Sequence, residues 1–418
     1  MLSSWINRHG SINWALADQA MLSGVNFFTG ILLARYLGVA EFGTFTLAWL
    51  IVQFVEGIQY SLVILPMISI GPKQPEHERK DYLGSVIAQQ AGFAAFSCAL
   101  FLVGIWAADS LFADWNFGAF TWSLATVLLI SQLQNFVRRY FFAFGRGAVA
   151  LFVDFVRYVG QIAILFWLLL TIDMDARRAL WVIAGTSLAS TLLSAFFVER
   201  ITWNSHNFRI TLIRHWAFSK WLLLSDLMRW ATDHFYMFVA GGVIGATAVG
   251  AVRATQNLVG MSHIVMLGLE NVVPAGAARR LSQSGKHVFL RYLMGVLIFG
   301  ASIVGTIVVV ASAAPEFWLE LIYGKDYVGY GHLVVWWSVI YFIGFMAQQI
   351  SVGLRTIERT KSIFWANLVT AIISVASIYP LITYFGLIGI MIGLLIIATI
   401  ATAFLTVSFF YQFRRYKD

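Results

Sequence analysis

The chain has 418 residues, of which 60% are hydrophobic and 11% charged, and its mean hydropathy is +0.78. That composition lies far from soluble-domain usage and leaves an integral membrane protein. The 28 Lys and Arg against 20 Asp and Glu could suggest nucleic acid, but the basic residues cluster between apolar runs, so no nucleic-acid partner is expected.

A lipid-spanning helix needs roughly 20 apolar residues. Runs of that length fall at 12–36, 43–70, 83–107, 120–143, 148–172, 179–198, 217–243, 247–273, 288–314, 329–353, 362–384 and 386–411. They exceed the roughly 9–11 residues of a membrane barrel strand, so the expected fold is all-α, with about 12 transmembrane helices. The opening "MLSSWINRHGSINWALADQA" carries Asp18 and lacks the apolar core and cleavage site of a signal peptide, so the first span is expected to be retained. A single Cys98 excludes an internal disulfide and a cysteine-cluster metal site. The longest connection, "ERITWNSHNFRITLIRHW" at 199–216, halves the chain into expected bundles at 1–206 and 207–418.

Charge orients the spans. With a cytoplasmic N-terminus, most Lys and Arg, including Arg138, Arg139, Arg209, Arg214, Lys220, Arg279 and Arg355, fall at cytoplasmic ends. Only Arg35, Arg177, Arg178 and Lys325 fall outside, and Arg157, Arg229 and Arg253 lie within spans. The positive-inside rule then places both termini in the cytoplasm.

Between the first two runs the chain reads "LARYLGVAEFGTF". Its Gly38 and Gly43 recur 207 residues later as Gly245 and Gly250, while Asp18 and Pro66 recur at an offset of 208 as Asp226 and Pro274. The register suggests an internal repeat. Six spans per half make it a parallel repeat, with a substrate path expected between the halves. Each glycine also has a local reading, as the left-handed residue of a turn or as a point of close helix contact.

Ionisable residues within spans usually face a bundle interior or a cavity, because each costs about 2.5–3.5 kcal/mol at mid-helix on the insertion scale. Helical spacing gathers Gln53, Glu56 and Gln59 on one stripe, Asp226, Arg229 and Asp233 on a second, and Arg253, Asn257, Gly260 and His263 on a third. Asp154, Arg157 and Gln161 form a fourth, in which a local ion pair between Asp154 and Arg157 is expected. The candidate coupling carboxylates are Asp18, Glu56 and Asp233, the first two having no basic residue within a helical turn. His234 and His263 read more readily as interhelical hydrogen-bonding residues than as ligands.

No GxxxxGK[ST] loop is present; "QSGKH" at 283–287 has only the Gly-Lys pair. Asp173 and Asp175 imitate a DxD metal motif on a loop too short to shape a donor site. No HExxH or GxSxG occurs. No catalytic site, metal site or cofactor is expected.

The stretch "GILLARYLGVAEFGTFTLAWLIVQF" at 30–54 resembles the first hairpin of bacterial polysaccharide and O-antigen flippases, which belong to the multidrug/oligosaccharidyl-lipid/polysaccharide (MOP) exporter superfamily. The match to their Leu-Gly-x-x-x-Phe-Gly turn is carried by Leu37, Gly38, Phe42 and Gly43, and "FGLIGIMIG" at 385–393 is similar to their last hairpin. The resemblance implies two parallel six-helix bundles in a V-shaped, MATE-like transporter of the bacterial inner membrane. The implied cargo is an undecaprenyl-diphosphate-linked oligosaccharide for O-antigen, capsule or exopolysaccharide. Candidate partners are membrane lipids and a polysaccharide polymerase or chain-length regulator. On the residues themselves, Arg229 and Arg253 are the candidate diphosphate ligands. Gln53, Gln59, Asn257 and His263 would line the cleft, and a coupling ion, H+ or Na+, would bind a carboxylate. A cation-coupled multidrug antiporter is the nearest alternative, and a membrane polysaccharide polymerase or ligase the second.

Overall fold

The computed structural model describes residues 2–111, 120–171, 174–199 and 202–416, and all regular structure among them is helical. Twelve α-helices run in order: α1 (Leu2–Gln59), α2 (Leu65–Ile70), α3 (Glu76–Leu111), α4 (Thr121–Ala143), α5 (Gly147–Thr171), α6 (Ala176–Ala195), α7 (Ser205–Val243), α8 (Ala246–Val259), α9 (Ser262–Ala313), α10 (Pro315–Tyr323), α11 (Gly331–Thr356) and α12 (Lys361–Arg415). The helices do not correspond one to one with the expected spans. α1, α9 and α12 each continue through a kink at a glycine of positive φ, Gly38, Gly285 and Gly386 respectively. α1 and α12 therefore each carry two spans.

Six of the described helical stretches are long and apolar enough to cross a membrane, among them Ala17–Lys73, Glu76–Trp106 and Lys361–Arg415. α4, α6, α7 and α8 fall outside that set. Their sequences are diluted by Gln132, Gln134 and Arg138 in α4, by serines and threonines in α6, and by Asp226, Arg229 and Asp233 in α7. A helix among helices can bury such groups against partners, whereas a lipid-facing helix cannot.

The chain divides into two compact units, one of Met1–Leu37 with Ala48–Leu227, the other of Gly38–Leu47 with Met228–Asp418. The first has a core of Val63, Ile64 and Met67 against Leu83 and Val86 of α3, Phe136 and Phe141 of α4, and Val153 of α5. In the second, Phe289 and Leu293 of α9 pack with Leu354 of α11 and Leu405 and Phe409 of α12.

The paired glycines of the repeat have two jobs. Gly38 has φ 74 and Gly245 has φ 112, where a side chain would be strained, so the first glycine of each pair reverses the backbone. The second makes a close contact within the second unit. A Cβ at Gly43 would lie 1.8 Å from the Ala246 carbonyl oxygen, and one at Gly250 would lie 1.9 Å from that of Val39. Val39 and Ala246 are themselves 207 apart, so the two repeat segments meet reciprocally.

Two expectations about helix limits are corrected. The connection at 199–216 is not a loop throughout, because α7 begins at Ser205. The eighth span is not continuous: α8 ends at Val259, Gly260 caps it, and α9 starts at Ser262. Glycine weakens a helix interior, and the chain here changes to i to i+3 bonds, His263 N–H to the Gly260 carbonyl at 2.9 Å and Ile264 N–H to that of Met261 at 3.2 Å.

The start of α7 is clipped to α3. Asn207 Nδ2 donates to Asp81 Oδ2 at 3.2 Å, Thr202 Oγ1 donates to Asp81 Oδ1, and His215 Nε2 shares a hydrogen bond with the Tyr82 hydroxyl at 2.9 Å. Asn207 and His215 are roughly 12 Å apart along a helix, yet both reach adjacent residues of α3. The two helices are therefore held together around Asp81 and Tyr82. Nearby, a Cβ on Gly84 would fall 2.0 Å from the Thr202 carbonyl oxygen.

His215 lies before the expected span at 217–243. Burial, with Arg214 as the second cause, pushes its pKa down to about 4. Between that value and the ordinary one near 6.5 the unfolded chain binds a proton that the folded chain does not. Folding stability should therefore fall as pH drops from about 6.5 towards 4. Thermal unfolding across that range should lose part of its pH dependence in His215→Asn; an unchanged profile would remove His215 from the account.

Candidate functional site

The intramembrane charges form one cluster in each unit. In the first, Asp18 of α1, Arg138 of α4 and Asp154 of α5 are 1%, 5% and 0% exposed. Arg138 bridges both acids, bonding Asp18 Oδ2 through Nη2 and Asp154 Oδ2 through Nε, the latter at 2.5 Å. Gln134 Nε2 donates to Asp154 Oδ1 at 2.5 Å, and Arg157 donates to Gln134 Oε1. Gln161 completes the layer with a 3.1 Å bond to the Thr29 hydroxyl.

This arrangement bears on three readings and corrects the local pair of Asp154 with Arg157. Arg138, expected at a cytoplasmic end, lies buried between two carboxylates. Asp18, with no basic residue within a helical turn, is paired with one 120 positions away. Asp154 is held by Arg138 and Gln134, and Arg157 turns to Gln134. The physical reason is common to all three: one guanidinium offers a fork of donors wide enough for two carboxylates, which satisfies more buried charge than a local pair can. Asp18 Oδ1 remains buried without a hydrogen-bond partner.

The stripe on α1 divides by depth. Glu56 is half-buried, within electrostatic range of Arg157, Arg138 and Arg139. Gln53 is half-buried and its carbonyl oxygen has no partner. Gln59 is fully buried, donating to the Gln90 side chain at 2.9 Å and to the Gln132 carbonyl at 2.7 Å. It belongs to an interhelical layer that Ser97 extends through Gln132. Asp226 accepts a 2.5 Å bond from Ser61.

The cluster in the second unit is basic and aromatic. Arg229 and Asp233 of α7 are exposed on their unit, whereas Arg253 and Asn257 of α8 are half-buried. Arg253 donates to Gln256 Oε1, a neutral amide, at 3.1 Å. Gln256 also lies close to the Tyr236 and Tyr341 hydroxyls. Arg229 and Arg253 both lie within electrostatic range of His234, whose ring stands 5.5 Å from that of Trp230. Trp337 adjoins both tyrosines, with ring centroids 6.4 Å from Tyr236 and 5.8 Å from Tyr341.

The stripe expected from Arg253 to His263 stops at Gly260. His263 stands on α9, beyond the break, and is exposed. Tyr236, Gln256, Trp337 and Tyr341 were not selected from sequence. In a chain with 35 Phe, 16 Trp and 15 Tyr nothing in the spacing marks these aromatics out; only the i to i+3 relation of Gln256 to Arg253 gave a signal. Guanidiniums beside aromatic rings and amides can hold an anionic group while offering stacking surface to an attached polar body.

The sequence imitations of catalytic motifs resolve as structure. Gly285 of "QSGKH" is the kink in α9, with φ 75. Asp175 caps α6, accepting the Arg178 N–H at 2.7 Å; Asp173 lies outside the described residues. No group of three or more His, Cys, Asp or Glu suited to a metal occurs among the described residues.

No protein-family model matches the sequence, and a search of curated proteins finds no match. Solved structures do match. A multidrug resistance MATE family transporter of the MOP superfamily, in an inward-facing conformation, aligns with a TM-score of 0.69 at 14% identity, over 94% of this chain and 96% of that one. The lipid II flippase MurJ, in an inward closed conformation, gives 0.66 at 16% identity, over 95% of this chain and 87% of that one. A MOP superfamily transporter from Pyrococcus furiosus, described as having a binding pocket of reverse polarity, gives 0.60 at 15% identity, over 96% and 94%. The chain therefore has the all-helical, polytopic membrane fold of the MOP-superfamily transporters.

Proposed function

We propose that the chain is an alternating-access transporter, not an enzyme, that moves the diphosphate headgroup of an undecaprenyl-linked oligosaccharide across the bacterial inner membrane. In this reading its halves, 1–206 and 207–418, rock against each other and both termini are cytoplasmic. The observation that carries it is the basic, aromatic cluster on α7, α8 and α11. Arg253 is turned to a neutral amide beside Tyr236, Tyr341 and Trp337, a setting suited to a phosphate bearing sugars. By contrast, two of the acids that a cation carrier would use, Asp18 and Asp154, are occupied by Arg138. A polysaccharide polymerase or chain-length regulator would receive the product.

Coupling would use the first unit. The unpartnered Asp18 Oδ1 is the place where H+ or Na+ would bind, with Glu56 of the same unit and Asp233 of the second unit as further carboxylates. Ion binding there would compete with Arg138 for Asp18 and so bias one conformation.

The second reading, a cation-coupled multidrug antiporter, is favoured by the structural comparisons, among which MATE transporters recur. The experiment that separates the two measures both activities in one set of variants. Arg229→Ala and Arg253→Ala should each lower transport of an undecaprenyl-diphosphate glycan about tenfold or more, the scale of one lost charged hydrogen bond, with folded protein unchanged. Full glycan transport in both variants would remove the anion role. Extrusion of cationic drugs that survives in both variants but is lost in Asp233→Asn would establish the antiporter instead.

A further inference from the structure

The first turns of α7 are inside out by the standard of a soluble helix. Their buried stripe, Thr211, His215 and Ser219, is polar, while Ile210, Leu212, Ile213 and Trp216 are exposed. The same segment, 205–220, exposes Arg209, Arg214 and Lys220 and contains no acidic residue. A helix with outward apolar and basic side chains suits the boundary between headgroups and acyl chains.

An apolar cavity of about 320 Å³ lies along one shoulder of this segment, between Phe208, Leu212 and Trp216 of α7 and Gly92, Phe93 and Phe96 of α3. Its size is at the lower end of the roughly 300–1,000 Å³ of small-molecule sites. Phe96 and Trp216 are 67% and 56% exposed, so the cavity opens to the outside of the unit. α7 is held to α3 around Asp81 and Tyr82, and the cavity residues Gly92 to Phe96 lie further along α3, deeper in the expected third span at 83–107. At 3.6 residues per turn, Arg209 and Lys220 project within about 40° of Trp216. Basic side chains thus project on the side of α7 that lines the apolar slot.

We infer that this cavity is a binding site for a resident anionic phospholipid of the cytoplasmic leaflet. One acyl chain enters between α3 and the start of α7, and Arg209 and Lys220, roughly 16 Å apart along the helix, flank the anionic headgroup from its two sides. Charge selects the lipid, since two outward basic residues on a segment that itself carries no acid, with Asp81 engaged by Thr202 and Asn207, favour an anionic headgroup over a zwitterionic one. The site is separate from the Arg229 and Arg253 cluster and does not depend on what the protein transports.

The test uses the full chain in detergent, with native mass spectrometry of bound phosphatidylglycerol against phosphatidylcholine of the same acyl chains. A Cβ at Gly92 meets no atom within 4 Å, so Gly92→Leu fills the slot without forcing the backbone. Wild type should retain phosphatidylglycerol about tenfold or more over phosphatidylcholine, as two basic contacts imply. Gly92→Leu should lose retention of both lipids. The double variant Arg209→Gln with Lys220→Gln, at exposed positions that leave the fold intact, should lose only the preference. Equal retention of the two lipids by wild type, or unchanged selectivity in the double variant, would overturn the assignment. Displacement of phosphatidylglycerol by equimolar undecaprenyl phosphate would also overturn it, by making the slot an entry point for cargo.

Discussion

Arg138→Met should be the most damaging single substitution in the first unit. It removes the guanidinium that holds both Asp18 and Asp154 and leaves two carboxylates, 1% and 0% exposed, without their counter-charge. Breaking a buried pair by deleting one partner costs about 3–5 kcal/mol, because the stranded charge remains desolvated. Here one deletion strands two acids, and Arg157, turned to Gln134 Oε1, is not positioned to replace the bridge. Thermal unfolding in detergent should show a large loss of stability and of folded yield. The triple variant Arg138→Met, Asp18→Asn, Asp154→Asn should recover much of it, since the uncompensated charge is then gone. An Arg138→Met protein as stable as wild type would show that the bridge does not hold these helices. Recovery of stability without recovery of transport would separate the structural part of Asp18 from its proposed part in coupling.

The second large effect is expected at the reciprocal glycine contact. Gly43→Ala places a methyl 1.8 Å from a carbonyl oxygen, and Gly250→Ala places one 1.9 Å from another. Both obstacles are backbone, so no rotamer change relieves them. Overpacking of this kind costs about 1–3 kcal/mol or more. Each alanine variant should lower the unfolding temperature and the folded yield, whereas Gly104→Ala, where a Cβ meets nothing within 4 Å, should leave both unchanged. Wild-type stability in Gly43→Ala and Gly250→Ala would mean that the two segments are not in contact. Transport in these variants carries separate information: a fall greater than the loss of folded protein would assign the contact a part in conformational change.

The contrast between the two clusters bears on substrate. Asp18 and Asp154 of the first unit share Arg138, so a bulky cation would have to displace that guanidinium to reach them. In the second unit the amide partner of Arg253 does not cancel its charge. Both facts are consistent with an anionic cargo and a small coupling ion, and both are open to the paired transport assay on Arg229, Arg253 and Asp233.

Composition and apolar runs were enough to determine the membrane class and the all-helical fold, because the cost of leaving backbone groups unpaired in lipid acts on each segment separately. The Gly38 and Gly245 turns were legible for the same reason: a left-handed backbone is a property of one residue. Spacing also found Asp18, Asp154 and Arg157 as charges needing partners. It could not say which partners. Arg138 is 120 residues from Asp18 and sits beside a cytoplasmic basic run, so its sequence context read as topology rather than as a counter-ion. The polar stripe of α7 at Thr211, His215 and Ser219, the break at Gly260 and the assembly of Tyr236, Gln256, Trp337 and Tyr341 around Arg253 likewise came from tertiary structure alone. Each depends on which helices pack together, and a buried polar group is satisfied by whatever donor the packing brings within about 3 Å, whatever its distance along the chain.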